Sequence, residues 1–271
     1  MPYNSIVNFD KPLIMGVLNV TPDSFSDGGE FYDPEKAMFR IEEMIEQGAD
    51  IIDVGGESTR PDSPPVTLEE EMRRVQPVID AVAERGWMEK AIFSIDTYKA
   101  EVAEYALKKG FQMVNDVTAL RGDENLIQVL LKYQPYVVLM HSKDSSARTS
   151  NAELDYEDVV VEVGDFLLER VDLILQKSFP KEKIILDPGM GGFVSKVPKY
   201  SFELIERLSE LKVLGYPVMI GISRKSCLGG KLEERDEVSV EWSLKAFQNG
   251  ASIVRVHDVA GMREAIDLLD G

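Results

Sequence analysis

Ile51-Ile-Asp-Val-Gly-Gly-Glu-Ser-Thr-Arg-Pro61 holds the pattern that decides the fold: a short apolar run passes directly into a glycine-rich polar cluster. The charged, helix-periodic segment Thr67 to Arg85 follows, and Ala91 to Ile95 opens a second apolar run that ends in Asp96-Thr-Tyr-Lys99. Strand, polar loop, helix, strand is a βα unit, and its two strands run parallel.

Outward from this unit the same pattern fills the chain. Apolar runs at Leu13 to Leu18, Gln112 to Val114, Tyr136 to Met140, Lys183 to Leu186, Val218 to Ile222 and Ser252 to Val256 read as further strands, apolar on both faces as buried parallel strands are. Between and after them, Pro34 to Gln47, Lys99 to Lys108, Glu124 to Tyr133, Tyr156 to Lys177, Ser201 to Leu214, Ser239 to Gln248 and Gly261 to Leu269 read as helices. Gly48, Gly86, Gly110 and Gly250 stand where a glycine closes a helix. Eight units in 271 residues predict an α/β chain, a (β/α)8 TIM barrel forming a single domain over residues 1–271. A doubly wound open sheet is the alternative, because strand pairing order is not written in a single sequence.

Composition narrows the partners. Hydrophobic residues make up 44% and charged residues 29%, an ordinary globular balance. A net charge of -18 argues against nucleic acid and anionic membranes, so an anionic substrate needs a local cationic pocket. Cys227 is the only cysteine, and His141 and His257 are the only histidines, so neither an internal disulfide nor a zinc cluster is expected. The amino terminus lacks the pattern of a signal peptide and no run is long enough to span a membrane, so an untargeted, soluble protein is expected, and the single cysteine makes a reducing cytoplasm its expected setting.

Polar residues gather where the strands end, the place at which barrel enzymes keep their active sites. Beyond the two clusters already quoted stand Asn19 to Gly29, Asn115-Asp116, His141-Ser142, Asp187-Pro-Gly-Met-Gly191, Ser223-Arg-Lys-Ser226 and Arg255-Val-His-Asp258. Arg255 and His257 share one side of a strand, and with Arg224 and Lys225 they form a candidate anion site on the loops after strands seven and eight. The competing reading has them capping helices or pairing with nearby acids. Asp53, Asp96, Asn115 and Asp187 lie at strand ends and want donors, which a flat heterocycle with an amino-amidine edge supplies. Internal salt bridges to Lys225 or Arg255 are the alternative. Gly189-Met-Gly-Gly192 lacks dinucleotide spacing, and His141 and Met140 read most simply as packing residues.

Taken together, these loops resemble those of the dihydropteroate synthases from Ile14 to Val259. Ile14-Met-Gly-Val-Leu-Asn-Val-Thr-Pro-Asp-Ser-Phe-Ser-Asp-Gly-Gly29, Gly55-Gly-Glu-Ser-Thr-Arg-Pro61, Ser94-Ile-Asp-Thr-Tyr98, Leu186-Asp-Pro-Gly189, Ser223-Arg-Lys-Ser226 and Arg255-Val-His-Asp-Val259 stand in that family's order and spacing. The resemblance implies a pterin-binding (β/α)8 barrel that joins 6-hydroxymethyl-7,8-dihydropterin pyrophosphate to p-aminobenzoate in folate biosynthesis. It implies that Asp96, Asn115, Asp187 and Lys225 grip the pterin against Met140. Pyrophosphate then rests on Asn19, Arg255 and His257, with Mg2+ on Asn19 and further stabilisation from Arg60. Thr59, Pro61 and Ser226 hold p-aminobenzoate, and the loops Thr21 to Gly29 and Glu57 to Pro61 close over the pocket. Family analogy also implies a homodimer through the late barrel helices. Two positions depart from the family pattern: Ser142 replaces the usual methionine, and Gly192 stands where a phenylalanine is usual, with Phe193 one residue late. A pterin-dependent methyltransferase and a non-catalytic pterin-binding paralogue are the alternatives. The first has no need of Ser223-Arg-Lys-Ser226, and the second would have lost Asn19, Arg255 or His257.

Overall fold

The computed structural model describes residues 7–21, 34–59, 63–231 and 234–270. Eight parallel strands are formed at Leu13–Asn19 (β1), Ile51–Gly55 (β2), Ile92–Asp96 (β3), Met113–Asp116 (β4), Tyr136–Met140 (β5), Ile184–Asp187 (β6), Met219–Ile220 (β7) and Ile253–Val256 (β8). They pair in the order β6-β5-β4-β3-β2-β1-β8-β7. A parallel bridge between Leu186 and Val218, beside a Leu186 N–H to Pro217 carbonyl bond of 2.9 Å, brings β7 back to β6. The sheet therefore curls into a nearly closed barrel, which excludes the open doubly wound arrangement.

The helices pack outside it: Pro34–Glu46 (α1), Leu68–Arg85 (α2), Ala100–Lys108 (α3), Leu126–Tyr133 (α4), Val159–Leu175 (α5), Lys199–Glu206 (α6), Leu208–Lys212 (α7), Arg235–Gln248 (α8) and Val259–Asp270 (α9). Local chemistry sets several ends. Thr67 caps α2 by accepting from the Glu70 N–H, and Asp158 caps α5 by accepting from Val160 and Val161, so that helix starts three residues after Tyr156. Gly48, Gly86, Gly110 and Gly250 all take left-handed φ values, 87, 68, 107 and 107°, as helix-closing glycines do. The single helix expected over Ser201 to Leu214 is instead two, broken at Arg207. At that break the guanidinium reaches Asp158 with bonds of 3.1 and 2.9 Å.

Side-chain alternation divides the barrel interior into layers. At the amino-terminal end Met15, Ile51, Met113, Val138, Ile185, Met219 and Ile253 form one apolar cluster. Tyr136 and Val7 complete this floor, where the Val7 N–H donates to the Tyr136 hydroxyl at 3.0 Å. Two residues further along the strands the same inward direction carries Asp53, Asn115, Asp187 and Arg255. Period two thus converts an apolar floor into a polar mouth. A larger apolar layer fills the space between strands and helices. No helix among the described residues is long and apolar enough to cross a membrane.

Candidate active site

The mouth is a pocket lined by Asp96, Asn115, Met140, Asp187, Lys225 and Arg255, with Thr59, Val117, Met190, Phe193 and Gly221 around them. Parallel register brings the polar residues together, since Gly55 stands opposite Asp96, Asp96 opposite Asn115, and Met140 opposite Asp187.

Arg255 is the electrostatic centre. It donates from Nε to Asp53 Oδ2 at 2.7 Å and from Nη2 to Asp96 Oδ2 at 2.8 Å. Asn115 Nδ2 also donates to Asp53 Oδ2, at 2.8 Å. The internal salt bridges to Arg255 are therefore present, and Asp96 and Arg255, which form one of them, line the pocket. Asp53 Oδ1 and Asn115 Oδ1 remain buried without a hydrogen-bond partner. Unpaired buried acceptors are costly, so this edge is poised for donors.

Burial pushes the Asp96 carboxyl up to about 7, with Asp53 and Glu71 adding to the rise against the opposing Arg255 charge. Asp187 rises to about 6 by burial, opposed by the Gly189 N–H that donates to it at 2.7 Å and by Lys225 and Arg255. Burial and the Arg255 charge bring Lys225 down to about 8, while Asp187 holds it up. Its ammonium lies over the Phe193 ring, 4.4 Å from the centroid. Burial works against the Arg255 charge, yet Asp53 and Asp96 leave it raised.

The four-cation anion site needs correction. Arg224 turns away and makes a two-pronged pair with Asp236 at 2.7 and 2.8 Å. His257 is driven down to about 3 by burial, then by Arg224 and Arg255, so it is a neutral imidazole. Its Nδ1 lies 3.0 Å from Ser223 Oγ, and that oxygen accepts the His257 main-chain N–H at 3.2 Å. With the hydroxyl proton free to meet Nδ1, the ring carries its own proton on Nε2. Among the described residues, Arg255 and Lys225 are left as the cations lining the pocket.

The remaining candidates divide. Met140 is buried in the pocket wall beside Val117 and Phe193, and Thr59 lines the pocket from the second loop. Asn19 sits partly buried at the carboxyl end of β1. Ser226 is exposed and does not line the pocket. Arg60 and Pro61 lie outside the described residues, as does most of the loop Thr21 to Gly29. His141 is a packing residue, edge-on to Phe166 and lowered by burial to about 4. Gly189 has no alternative at its position. With φ of 72°, a Cβ there would meet the His141 carbonyl oxygen at 2.4 Å.

Sequence reading missed the role of the loop after β5. Lys143 and Arg148 brace that loop against its neighbours, and only the fold brings their partners near.

The architecture and sequence have close counterparts. The family model described as pterin binding enzyme matches residues 15–257. The chain is 40% identical to the dihydropteroate synthase of Haemophilus influenzae, over 97% of this chain and 94% of that protein. The solved dihydropteroate synthase of Xanthomonas albilineans with 4-aminobenzoic acid superposes with a TM-score of 0.89 at 38% identity, covering 97% of this chain and 94% of that one. The Clostridium difficile enzyme solved in the presence of pteroic acid gives 0.86 at 42% identity, covering 96% and 95%.

Proposed function

Since the chain belongs to the pterin-binding enzyme family, we infer that it is a transferase of folate biosynthesis joining 6-hydroxymethyl-7,8-dihydropterin pyrophosphate to p-aminobenzoate. The products are 7,8-dihydropteroate and pyrophosphate. One observation carries the reading: a buried mouth in which Asp96, Asp187 and Asn115 present acceptors and Lys225 presents donors around a slot walled by Met140 and Phe193. A pterin edge supplies the N–H groups that this edge lacks, and each charge-assisted bond is worth roughly 1.5–3 kcal/mol.

The reaction is a displacement at the exocyclic methylene. The amine nitrogen forms the new bond to carbon, the carbon–oxygen bond breaks, pyrophosphate leaves with the electron pair, and the amine proton passes to solvent. No side chain is required as nucleophile. Arg255 spans from the acids toward the leaving group, His257 offers its Nε2 proton as a neutral donor, and Arg60 is assigned to the same charge. Holding amine and pterin together contributes up to about 7–11 kcal/mol by proximity. Thr59, Pro61 and Ser226 are assigned to p-aminobenzoate. Of these, Thr59 has the support of lining the pocket, whereas Ser226 has to turn inward from an exposed position.

For Mg2+, the donor chemistry fits a shared site. Among the described residues no three of His, Cys, Asp or Glu are clustered. Magnesium ordinarily keeps waters and takes substrate phosphate oxygens with one or two protein oxygens, and the Asn19 amide supplies one. Bound there, it would neutralise charge on the departing pyrophosphate.

A cytoplasmic homodimer without nucleic-acid or membrane partners completes the proposal. The acidic charge supports the second half, and the exposed Leu268 and Leu269 of α9 and Val213 beyond α7 support the first. Light scattering giving a monomer at micromolar concentration would remove the dimer. The functional test is pyrophosphate release from the dihydropterin substrate with Mg2+, with and without p-aminobenzoate, beside Asp96→Ala. Amine-dependent release abolished by the substitution is the expected result. No release with pterin binding intact would point instead to a non-catalytic binding protein.

A further inference from the structure

Lys143, in the loop after β5, has a side chain only 1% exposed and takes no part in the chemistry proposed above. An ammonium out of water is tolerated only when fully paired. Its three N–H groups meet four oxygens: the Gly192 carbonyl, Thr149 Oγ1 at 2.7 Å, the Ser150 carbonyl at 2.8 Å and Asp144 Oδ2 at 3.0 Å. The Thr149 hydroxyl also donates to the Gly192 carbonyl, and the Lys143 main-chain N–H donates to the Phe193 carbonyl at 2.8 Å. One residue of the fifth loop thus grips two consecutive carbonyls of the sixth.

Between those anchors the Phe193 ring turns into the pocket, where it packs with Val117, Met140 and Ala147 and lies under Lys225. Gly192 is what lets the loops approach. A Cβ there would stand 3.0 Å from Thr149 Cγ2, closer than such atoms settle without a shift. Gly192 thus offers the gripped carbonyl where the two loops come closest, and Phe193 beside it supplies the ring that faces the pocket.

We infer that Lys143 is a positioning residue that clamps the sixth loop through Gly192 and so sets Phe193 and the pocket wall it forms with Met140. Arg148 of the same loop donates to Glu57 and to the Ser63 and Pro64 carbonyls, which braces the second loop, the one that bears Thr59. The clamp itself rests on geometry alone. Only the kinetic readout rests on the proposed function.

The test compares wild type with Lys143→Met, which keeps volume and removes the donors, and with Lys143→Arg, which keeps charge and donors. Amide exchange in residues 189–195 should speed up by about tenfold in Lys143→Met. KM for the pterin pyrophosphate should rise about tenfold while kcat stays within about twofold, because Phe193 walls the slot with Met140. Lys143→Arg should recover part of both effects. Should Lys143→Met not fold, Thr149→Val carries the same test, with the same split at about threefold. Unchanged exchange in residues 189–195, or an unchanged KM for the pterin pyrophosphate, overturns the clamp. A wild-type protein with no amine-dependent turnover overturns the proposed function instead, and the exchange comparison then decides the clamp on its own.

Discussion

The floor and the mouth of this barrel are built by the same strands, two residues apart, and they answer to different physics. At the floor, Met15, Ile51, Met113, Ile185, Met219 and Ile253 are fully buried with apolar neighbours and contribute by exclusion of water. At the mouth, Asp53 is equally buried, yet it sits in a charged network with Arg255, Asp96 and Asn115 that leaves acceptors unpaired. The floor is at its optimum without a ligand. The mouth is not, since Asp53 Oδ1 and Asn115 Oδ1 are buried without a partner, and relieving that deficit is the role proposed for the substrate.

Substitution should separate the two layers. Met113→Ala at the floor should cost about 2–5 kcal/mol of stability by cavity formation, read from urea unfolding, with KM values unchanged. Arg255→Met at the mouth should lower kcat by about 10²–10³-fold, as loss of a charge-stabilising donor does, and should also cost about 3–5 kcal/mol of stability because it leaves the buried Asp53 carboxylate unpaired. A floor variant with altered KM, or an Arg255 variant with full turnover, would break the distinction.

The pH response sharpens it. Asp96 and Asp187 have folded-state values of about 7 and about 6 against a reference of 3.8. For a carboxyl raised by folding, the protonated form supports the fold. Its contribution is full below the unfolded value and is lost as pH rises through the folded one. Ligand-free wild type should therefore lose melting temperature relative to Asp187→Asn between pH 4 and 7. Pterin affinity should run the other way, rising over pH 5 to 7 as the carboxylates become acceptors, then falling above about pH 8 as Lys225 loses its proton. Titration calorimetry across that range with wild type and Asp187→Asn checks both limbs, and a flat wild-type profile would sink the assignment. The smallest effect belongs outside the barrel. Glu206→Gln, which breaks an exposed pair with Lys245, should change stability by less than about 1 kcal/mol and leave turnover alone.

Much of this was legible before folding. Strand and helix positions followed from apolar periodicity, and the mouth residues from the abrupt switch to polar residues at each strand end. The errors have local causes. Arg224 reads as an anion ligand because it stands beside Lys225, but a left-handed φ of 57° and the carboxylate of Asp236 direct it outward. His257 reads as a cation, and burial makes it neutral. Lys143 carries no motif, since its partners at Gly192 and Phe193 are far along the chain.

The sequence by itself determined the eight alternating βα units and the polar residues at their strand ends, because both follow from period-two and period-3.6 patterns that are local properties of the chain. Closure into a barrel came instead from the pairing of strands far apart in sequence. Tertiary structure alone decided which charges pair, which are neutralised and which loop grips which. Those outcomes depend on burial and on distances between residues far apart in sequence, where removal from water outweighs the intrinsic preference of any single side chain.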